Sequence, residues 1–343
     1  MFGWARHVIA LVGRYAGVVG IVESAVYGEL NVEPAAEIPE FLKEIPRIIG
    51  LACAPRSLRP VNFLLCKRLS FATLPEMSRM ELVKVRESNK GILLDYLHRD
   101  VARHAFALFD LNAAFQDSEF YVAASGGRIC GYLLIYKGTA LKYPSIIVDA
   151  ELEAAETLLS LLPDEKAVLF CPRELLAFVR TKVKDSGVYQ ETQMAIRKGE
   201  ERLIQNNPAG RLTLDDAGGL AALYSEMGNV NRQVELEPIR RQLALNPFYG
   251  IYDGGKLVSV AGLYVTMPEV CVIGGVFTRS AHRGRGFAKM TTSAVLEYAF
   301  RISGLAMLYV RSDNKPAIRV YEKLGFGKVG ERFWVDLGTG LRP

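Results

Sequence analysis

The chain has little from which to build a metal site or a disulfide framework. Its 343 residues include four histidines, His7, His98, His104 and His282. His98 and His104 stand six apart, a spacing that does not bring two rings onto one helical face as a chelating pair requires. No metal is therefore expected, and His282 reads as a surface residue. The five cysteines, Cys53, Cys66, Cys130, Cys171 and Cys271, form no close pair and mostly sit in apolar runs. That pattern fits buried thiols in a reducing compartment and predicts a cytoplasmic protein. Apolar runs of membrane-spanning length are missing too. The nearest, Val8 to Val22, is broken by Arg14, carries Gly13, Gly17 and Gly20, and lacks a persuasive cleavage site. Neither a membrane partner nor a signal peptide is expected. The net charge of +5 is mild and scattered, with no ladder of aromatic and basic residues, so no nucleic-acid partner is expected either.

What is present suits a folded protein. Half of the residues are hydrophobic and 23% are charged, and the length admits two domains of ordinary size. Residues 1–79 form an extension of unclear role, in which helical patterns such as Ile38 to Ile49 alternate with Pro55, Pro60 and Pro75. The alternation Glu81-Leu82-Val83-Lys84-Val85 then announces a strand and the start of an α/β region.

Two stretches of that region look alike. A hairpin from Glu119 to Tyr136 turns at Gly126-Gly127, and one within Pro247 to Tyr264 turns at Gly254-Gly255. Each has a Phe-Tyr pair before the glycines and a basic residue after them, and each follows predicted helices. Similarity at a domain-sized period predicts two related α/β units, residues 80–200 and 201–343. Each would be a mixed, mostly antiparallel twisted sheet flanked by helices. After the first hairpin, Ile146-Ile147-Val148 leads at once into the acidic run Asp149 to Glu156. A helix start already occupied by carboxylates repels a second anion.

The second half differs at the same place. Its apolar strand Cys271 to Phe277 ends in the basic turn Thr278 to Gly286, and a long helical pattern follows from Ala288 to about Arg301. Strand, glycine-bearing turn and helix N-terminus in that order make an anion cradle, because the first-turn amides have no intrahelical partner. The turn is not a P-loop, since no Gly-Lys-Ser/Thr follows, and it lacks the third glycine of a dinucleotide fold. Further on, the short strand Leu305 to Val310 precedes Asn314-Lys315-Pro316-Ala317, Tyr321 and Gly325-Phe326. Asn314 suits an N-cap, Pro316 a first turn and Gly325 a C-terminal cap.

The turn Arg283-Gly284-Arg285-Gly286-Phe287-Ala288 resembles the pyrophosphate loop of the GNAT N-acetyltransferase superfamily. The run from Asn314 through Ala317 and Tyr321 to Gly325-Phe326 is similar to a second element of that superfamily, at the expected distance. The resemblance covers about residues 212–337 well and residues 80–200 only as scaffold. It implies an acyl-CoA-dependent N-acetyltransferase with acetyl-CoA as co-substrate. Coenzyme contacts would come from Val276, Phe277 and Thr278 on the central strand, from Arg283 to Ala288, and from Asn314, Ala317 and Tyr321. The Val276 main chain would hold the thioester carbonyl, and the Tyr321 hydroxyl would protonate the departing thiolate. For a base the resemblance points to a glutamate near that strand or to a water relay. Glu269 is the nearest candidate, with Glu226 and Glu237 as rivals, and an already neutral amine needs none.

The helical stretches Asp215 to Met227 and Glu235 to Leu245, with the loop between them, would line the acceptor pocket. Gly327 to Leu337 is expected to close the second sheet. The first half is expected to have lost coenzyme binding and to supply a wall of the acceptor site or a homodimer surface. The layout is similar to glycine N-acyltransferase-like proteins, which favours a small amine or amino acid over a protein as acceptor. The alternative is a non-catalytic protein that binds acyl-CoA as a structural or regulatory ligand.

Overall fold

Two turns with one backbone conformation mark the architecture. Gly126 and Gly127 have φ of 57° and 76°, and Gly254 and Gly255 have 56° and 73°. Paired positive φ values define the tight hairpin turn whose twist matches that of its strands, and glycine adopts them without a Cβ penalty. The computed structural model describes residues 80–138, 141–228, 231 and 234–341. The patterns at Val8 to Val22 and Ile38 to Ile49, with His7, Cys53 and Cys66, lie outside the described residues.

In chain order the first elements are β1 (Glu81–Lys84), α1 (Gly91–Leu97), α2 (Ala105–Ala113), β2 (Ser118–Ser125), β3 (Arg128–Tyr136) and β4 (Ser145–Ala150). Then come α3 (Leu152–Leu159), β5 (Ala167–Cys171), α4 (Arg173–Lys182) and β6 (Val183–Arg197). The pattern then recurs: β7 (Gly210–Arg211), α5 (Ala217–Ser225), α6 (Leu236–Leu245), β8 (Phe248–Asp253), β9 (Lys256–Thr266) and β10 (Cys271–Thr278). It ends with α7 (Phe287–Ala299), β11 (Leu305–Arg311), α8 (Lys315–Leu324) and β12 (Gly327–Leu341). No helix among the described residues is long and apolar enough to cross a membrane.

All the strands join one 12-stranded sheet in the order β1-β2-β3-β4-β5-β12-β6-β11-β10-β9-β8-β7. Read from either edge, the order is the same, with each half ending on the other's last strand. β6 pairs with β11, from Glu191↔Arg311 to Arg197↔Leu305, and β12 pairs with β5, from Cys171↔Phe333 to Ala167↔Leu337. The stretch expected to close the second sheet thus lies against β5 and β6. The alternation of Phe333, Val335 and Leu337 explains the placement, because period-two side chains share one face. That face buries them with Leu158 and Leu175, which α3 and α4 contribute.

Helices cover both faces. α7 and α8 bury Val295, Leu296, Ile318 and Leu324 against β9, β10, β11 and β6. On other parts of the sheet, α5 and α6 pack Leu220, Leu223 and Ile239 on Phe248 and Val260. Leu93, Leu97, Leu108 and Leu111 of α1 and α2 share one cluster with Val265, Val272 and Met307. One helical pair therefore packs on strands of both halves. Each fully buried leucine there contributes on the order of 1.5–3 kcal/mol.

Among the described residues only two strand pairs are parallel, and both separate early. The β4–β5 ladder stops at Ile147↔Phe170 and the β10–β11 ladder at Ile273↔Leu308. Beyond those residues each sheet half opens.

Candidate active site

Past Ile273, β10 keeps only its β9 neighbour, and that ladder shifts between Gly274↔Gly262 and Phe277↔Val260. Gly275 and Val276 form the resulting irregularity, with no register partner on either side. Gly275 needs to be glycine twice over. Its φ is 63°, and an added Cβ would stand 2.5 Å from the Tyr224 hydroxyl and 2.8 Å from that of Tyr264. Tyr224 donates to the Gly275 carbonyl at 3.4 Å. Two phenols thus converge on the bulge. Sequence reasoning missed both, because α5 and β9 bring them there only through tertiary packing.

The turn after β10 is built to leave amides open. Gly284 and Gly286 have φ of 79° and 84°, and Gly286 is the N-cap of α7. The first bond of the helix runs from the Met290 N–H to the Gly286 carbonyl, and the amides of Gly284 through Lys289 donate to no described residue. With the helix dipole behind them they form a cradle for an anion.

The basic side chains around the cradle are held in place. Arg285 donates to Asp253 at 2.7 Å with its guanidinium carbon 4.8 Å from the Phe287 ring centre. Arg283 donates through Nε to the Thr278 carbonyl at 3.2 Å and stands 5.8 Å from the centre of Phe277. Lys289 makes no ion pair among the described residues.

Thr278 contributes differently from a contact residue. Its hydroxyl is buried and lies 2.7 Å from that of Ser259, which lies 3.4 Å from that of Thr291. Thr291 in turn donates to the Phe287 and Ala288 carbonyls at 3.2 Å. This chain of hydroxyls ties β9 and β10 to the first turn of α7, where Ala288 sits half-buried.

α8 begins as its sequence dictates. The Asn314 side chain accepts the Ala317 N–H at 3.2 Å as an N-cap. Gly325 closes the helix with φ of 108°, where a Cβ would stand 2.6 Å from the Glu200 carbonyl oxygen. Tyr321 is 6% exposed and shares one packed cluster with Val276 and Ala317. Burial pushes the Tyr321 phenol well above its ordinary value, so it stays protonated. Its ring meets Phe326 edge-on, with centroids 6.1 Å apart.

The glutamates are elsewhere. Glu269 is exposed in the turn before β10, at the far end of that strand from the bulge. Seven residues of extended chain cover about 23 Å. Glu226 pairs with Arg279, and Glu237 is exposed and pairs with Arg240 at 3.0 Å. The structure does not bring Glu269 to Val276 and Tyr321.

The matching place in the first half carries charge and no turn. Asp149 takes two bonds from Arg103, at 2.5 and 3.1 Å. Glu151, the N-cap of α3, pairs with Arg128. Behind Asp149 the buried His104 Nδ1 lies 3.1 Å from the Tyr132 hydroxyl, and burial lowers the affinity of that ring for a proton. Among the described residues no group of three histidine, cysteine, aspartate or glutamate side chains is placed to hold a metal.

Comparison with known proteins meets this geometry at the same residues. The profile of the acetyltransferase (GNAT) family matches residues 219–326. The N-alpha-acetyltransferase RimI of Mycobacterium tuberculosis is 31% identical over 128 residues, which are 36% of this chain and 80% of that protein. Of the solved structures, a Drosophila melanogaster protein aligns over 76% of this chain and 99% of its own, with a TM-score of 0.58 and 15% identity. A tandem GNAT protein from the clavulanic acid biosynthesis pathway aligns over 76% of this chain and 100% of its own, with a TM-score of 0.50 and 17% identity. At such identities the two structures are alike in fold.

Proposed function

The chain belongs to the acetyltransferase (GNAT) family, and on that footing we propose that it moves the acetyl group of acetyl-CoA directly to an amine. The observation that carries the reading is the run of open amides from Gly284 to Lys289 beside the separation of β10 from β11. The residues fit the coenzyme. The open amides and the arginines around them would hold a diphosphate, and Phe277, Ala317 and Val276 would border the narrower part of the molecule.

The amine nitrogen attacks the thioester carbonyl carbon to give a tetrahedral species, whose oxygen charge the Val276 N–H would stabilise. The new C–N bond stays, the C–S bond breaks, and the Tyr321 hydroxyl gives its proton to sulfur. The nitrogen's surplus proton leaves to solvent, and the Tyr321 phenolate takes one back from solvent before the next turnover. With Glu269 at the far end of β10, the amine is proposed to enter neutral, oriented between the hydroxyls of Tyr224 and Tyr264. A small amine or amino acid is the proposed acceptor, and the name of the Mycobacterium relative points to an α-amine.

We also propose that residues 80–200 and 201–343 are tandem units that exchange their last strands, the first unit having kept the scaffold without the cradle. The test is acetyl-CoA with a panel of amines and amino acids, following free thiol and acetylated product together. Product with matching thiol release is expected. Saturable CoA binding without product from any acceptor would favour a binding protein, and no CoA binding at all would end the proposal.

A further inference from the structure

A cavity that the proposed reaction does not use lies between residues of both halves. Where β4 leaves β5, a space of about 300 Å³ opens between Phe106, Tyr132, Phe170 and Tyr309. That is the lower end of the usual range for small-molecule sites. β12 supplies its floor.

Three guanidinium groups face the space, those of Arg103, Arg173 and Arg332. Arg332 is the most constrained. Its guanidinium carbon lies 3.5 Å from the ring centre of Tyr309 and 4.1 Å from that of Phe170, and its Nε donates to buried Glu191 at 2.8 Å. The terminal nitrogens of Arg332 donate to no described residue. Arg173 likewise uses only Nε, on Glu331, and Arg103 keeps one terminal nitrogen after its two bonds to Asp149. The same walls carry Asp100, Asp149, Glu174 and Glu331, and Glu174 makes no hydrogen bond or ion pair among the described residues.

These signs select among ligands. A simple anion would meet Asp149 and Glu174, and a simple cation would meet the guanidinium groups. A molecule with both charges finds a partner for each, and the aromatic rings take an apolar body. A coenzyme diphosphate finds no cradle, because β4 passes through Glu151 directly into α3.

We propose that this cavity binds a small zwitterion, an α-amino acid with an apolar side chain. Its carboxylate lies on the guanidinium groups and its ammonium on Asp149 and Glu174. The site is separate from the proposed acceptor cleft and would make the first half a sensor of amino-acid supply.

The test is calorimetric titration of the full chain with L-phenylalanine, L-leucine and L-methionine, beside 3-phenylpropionate and 2-phenylethylamine. At least one amino acid should bind saturably. The two truncated analogues should bind about tenfold more weakly or worse, each forgoing one set of charge-assisted hydrogen bonds. Glu174→Gln, at an exposed position, and Arg332→Gln should each weaken amino-acid binding about tenfold with CoA affinity unchanged. Fluorescence of Trp334, whose ring stands 5.4 Å from that of Phe170, gives a local signal. Absence of saturable binding by all three amino acids would overturn the proposal. So would equal affinity for either truncated analogue, or an affinity that falls with Tyr224→Phe and not with Glu174→Gln.

Discussion

Asp149 and Gly275 occupy matching positions in the sheet, each two residues past the last parallel pair of its half, Ile147↔Phe170 and Ile273↔Leu308. One is a carboxylate clamped by Arg103, and the other is a bare backbone with two phenols above it. The same opening therefore carries a paired carboxylate in one half and bare backbone in the other.

One CoA per chain is the expected stoichiometry. Glu151 already caps α3, and no loop separates it from β4, so the first half offers no run of open amides. Calorimetry should give a single site, and Asp149→Ala should leave that number at one. Two equivalents of CoA per chain, or coenzyme density beside Asp149, would contradict this assignment.

Replacing Gly286 by valine should weaken CoA binding by about tenfold or more while the chain stays folded. The only atom within 4 Å of an added Cβ is the tip of Met290, at 3.9 Å, so packing allows the change. The φ of 84° does not suit a β-branched residue, and relaxing it costs about 1–3 kcal/mol and turns the amides of the first turn. Titration with CoA, with circular dichroism as the control for folding, decides the matter. Unchanged affinity in a folded Gly286→Val protein would remove the cradle from the site.

Much of this was legible in the sequence, for physical reasons that differ from place to place. The paired hairpins were readable because two glycines in succession have few other uses between alternating strands. The cradle and the tyrosine helix were readable because caps and positive φ demand particular residues at Gly286, Asn314 and Gly325. The role of Thr278 was less visible. Its side chain serves the hydroxyl chain to α7, which depends on what lies across from it. The exchange of β6 and β12 was not legible at all, since an alternating strand carries no mark of which sheet edge it will join. Tyr224 and Tyr264 escaped for the same reason.

Gly275→Ala should cost both stability and turnover. The new methyl would press on the Tyr224 and Tyr264 hydroxyls at 2.5 and 2.8 Å, and the backbone would hold alanine at a φ of 63°. About 1–3 kcal/mol of destabilisation is expected. Combining it with Tyr224→Phe should recover part of that loss, because one of the two clashing oxygens is gone. Denaturant melts of the single and double variants measure the recovery, and strictly additive losses would show that the two residues do not meet.

Alkaline pH should loosen the fold before any phenol titrates. Burial pushes the Cys271 thiol up to about 11 and that of Cys171 to about 12. The unfolded thiols have a value near 8.5, so above that pH the unfolded chain loses protons that the folded chain keeps. Stability should be flat from pH 7 to 8 and then fall as pH rises further. The half-buried phenols of Tyr96 and Tyr136, raised to about 12, steepen the loss beyond pH 10. Urea melts between pH 7 and 10.5 give the slope, and a constant midpoint across that range would show that neither thiol is protected.

Tyr321→Phe should lower turnover far more than it lowers CoA affinity. The ring keeps its packing against Phe326 and beside Val276 and Ala317, and only the hydroxyl is lost. Loss of a general acid costs about 10²- to 10⁴-fold in rate. The lower end is expected, because a thiol with a value near 8.5 makes a tolerable leaving group as thiolate. Two pH profiles sharpen the test. Burial holds the Tyr321 proton well beyond the ordinary phenol range, so wild-type turnover should not fall through the ionisation of this residue below pH 10. The deficit of the variant should shrink as pH rises past the thiol value, where the thiolate no longer needs a proton to depart. Steady-state kinetics with a responding amine and parallel CoA titrations supply the numbers. Wild-type turnover in the variant would mean that solvent protonates the sulfur and the tyrosine only packs. An equal loss of binding and rate would place its hydroxyl in recognition of the bound coenzyme.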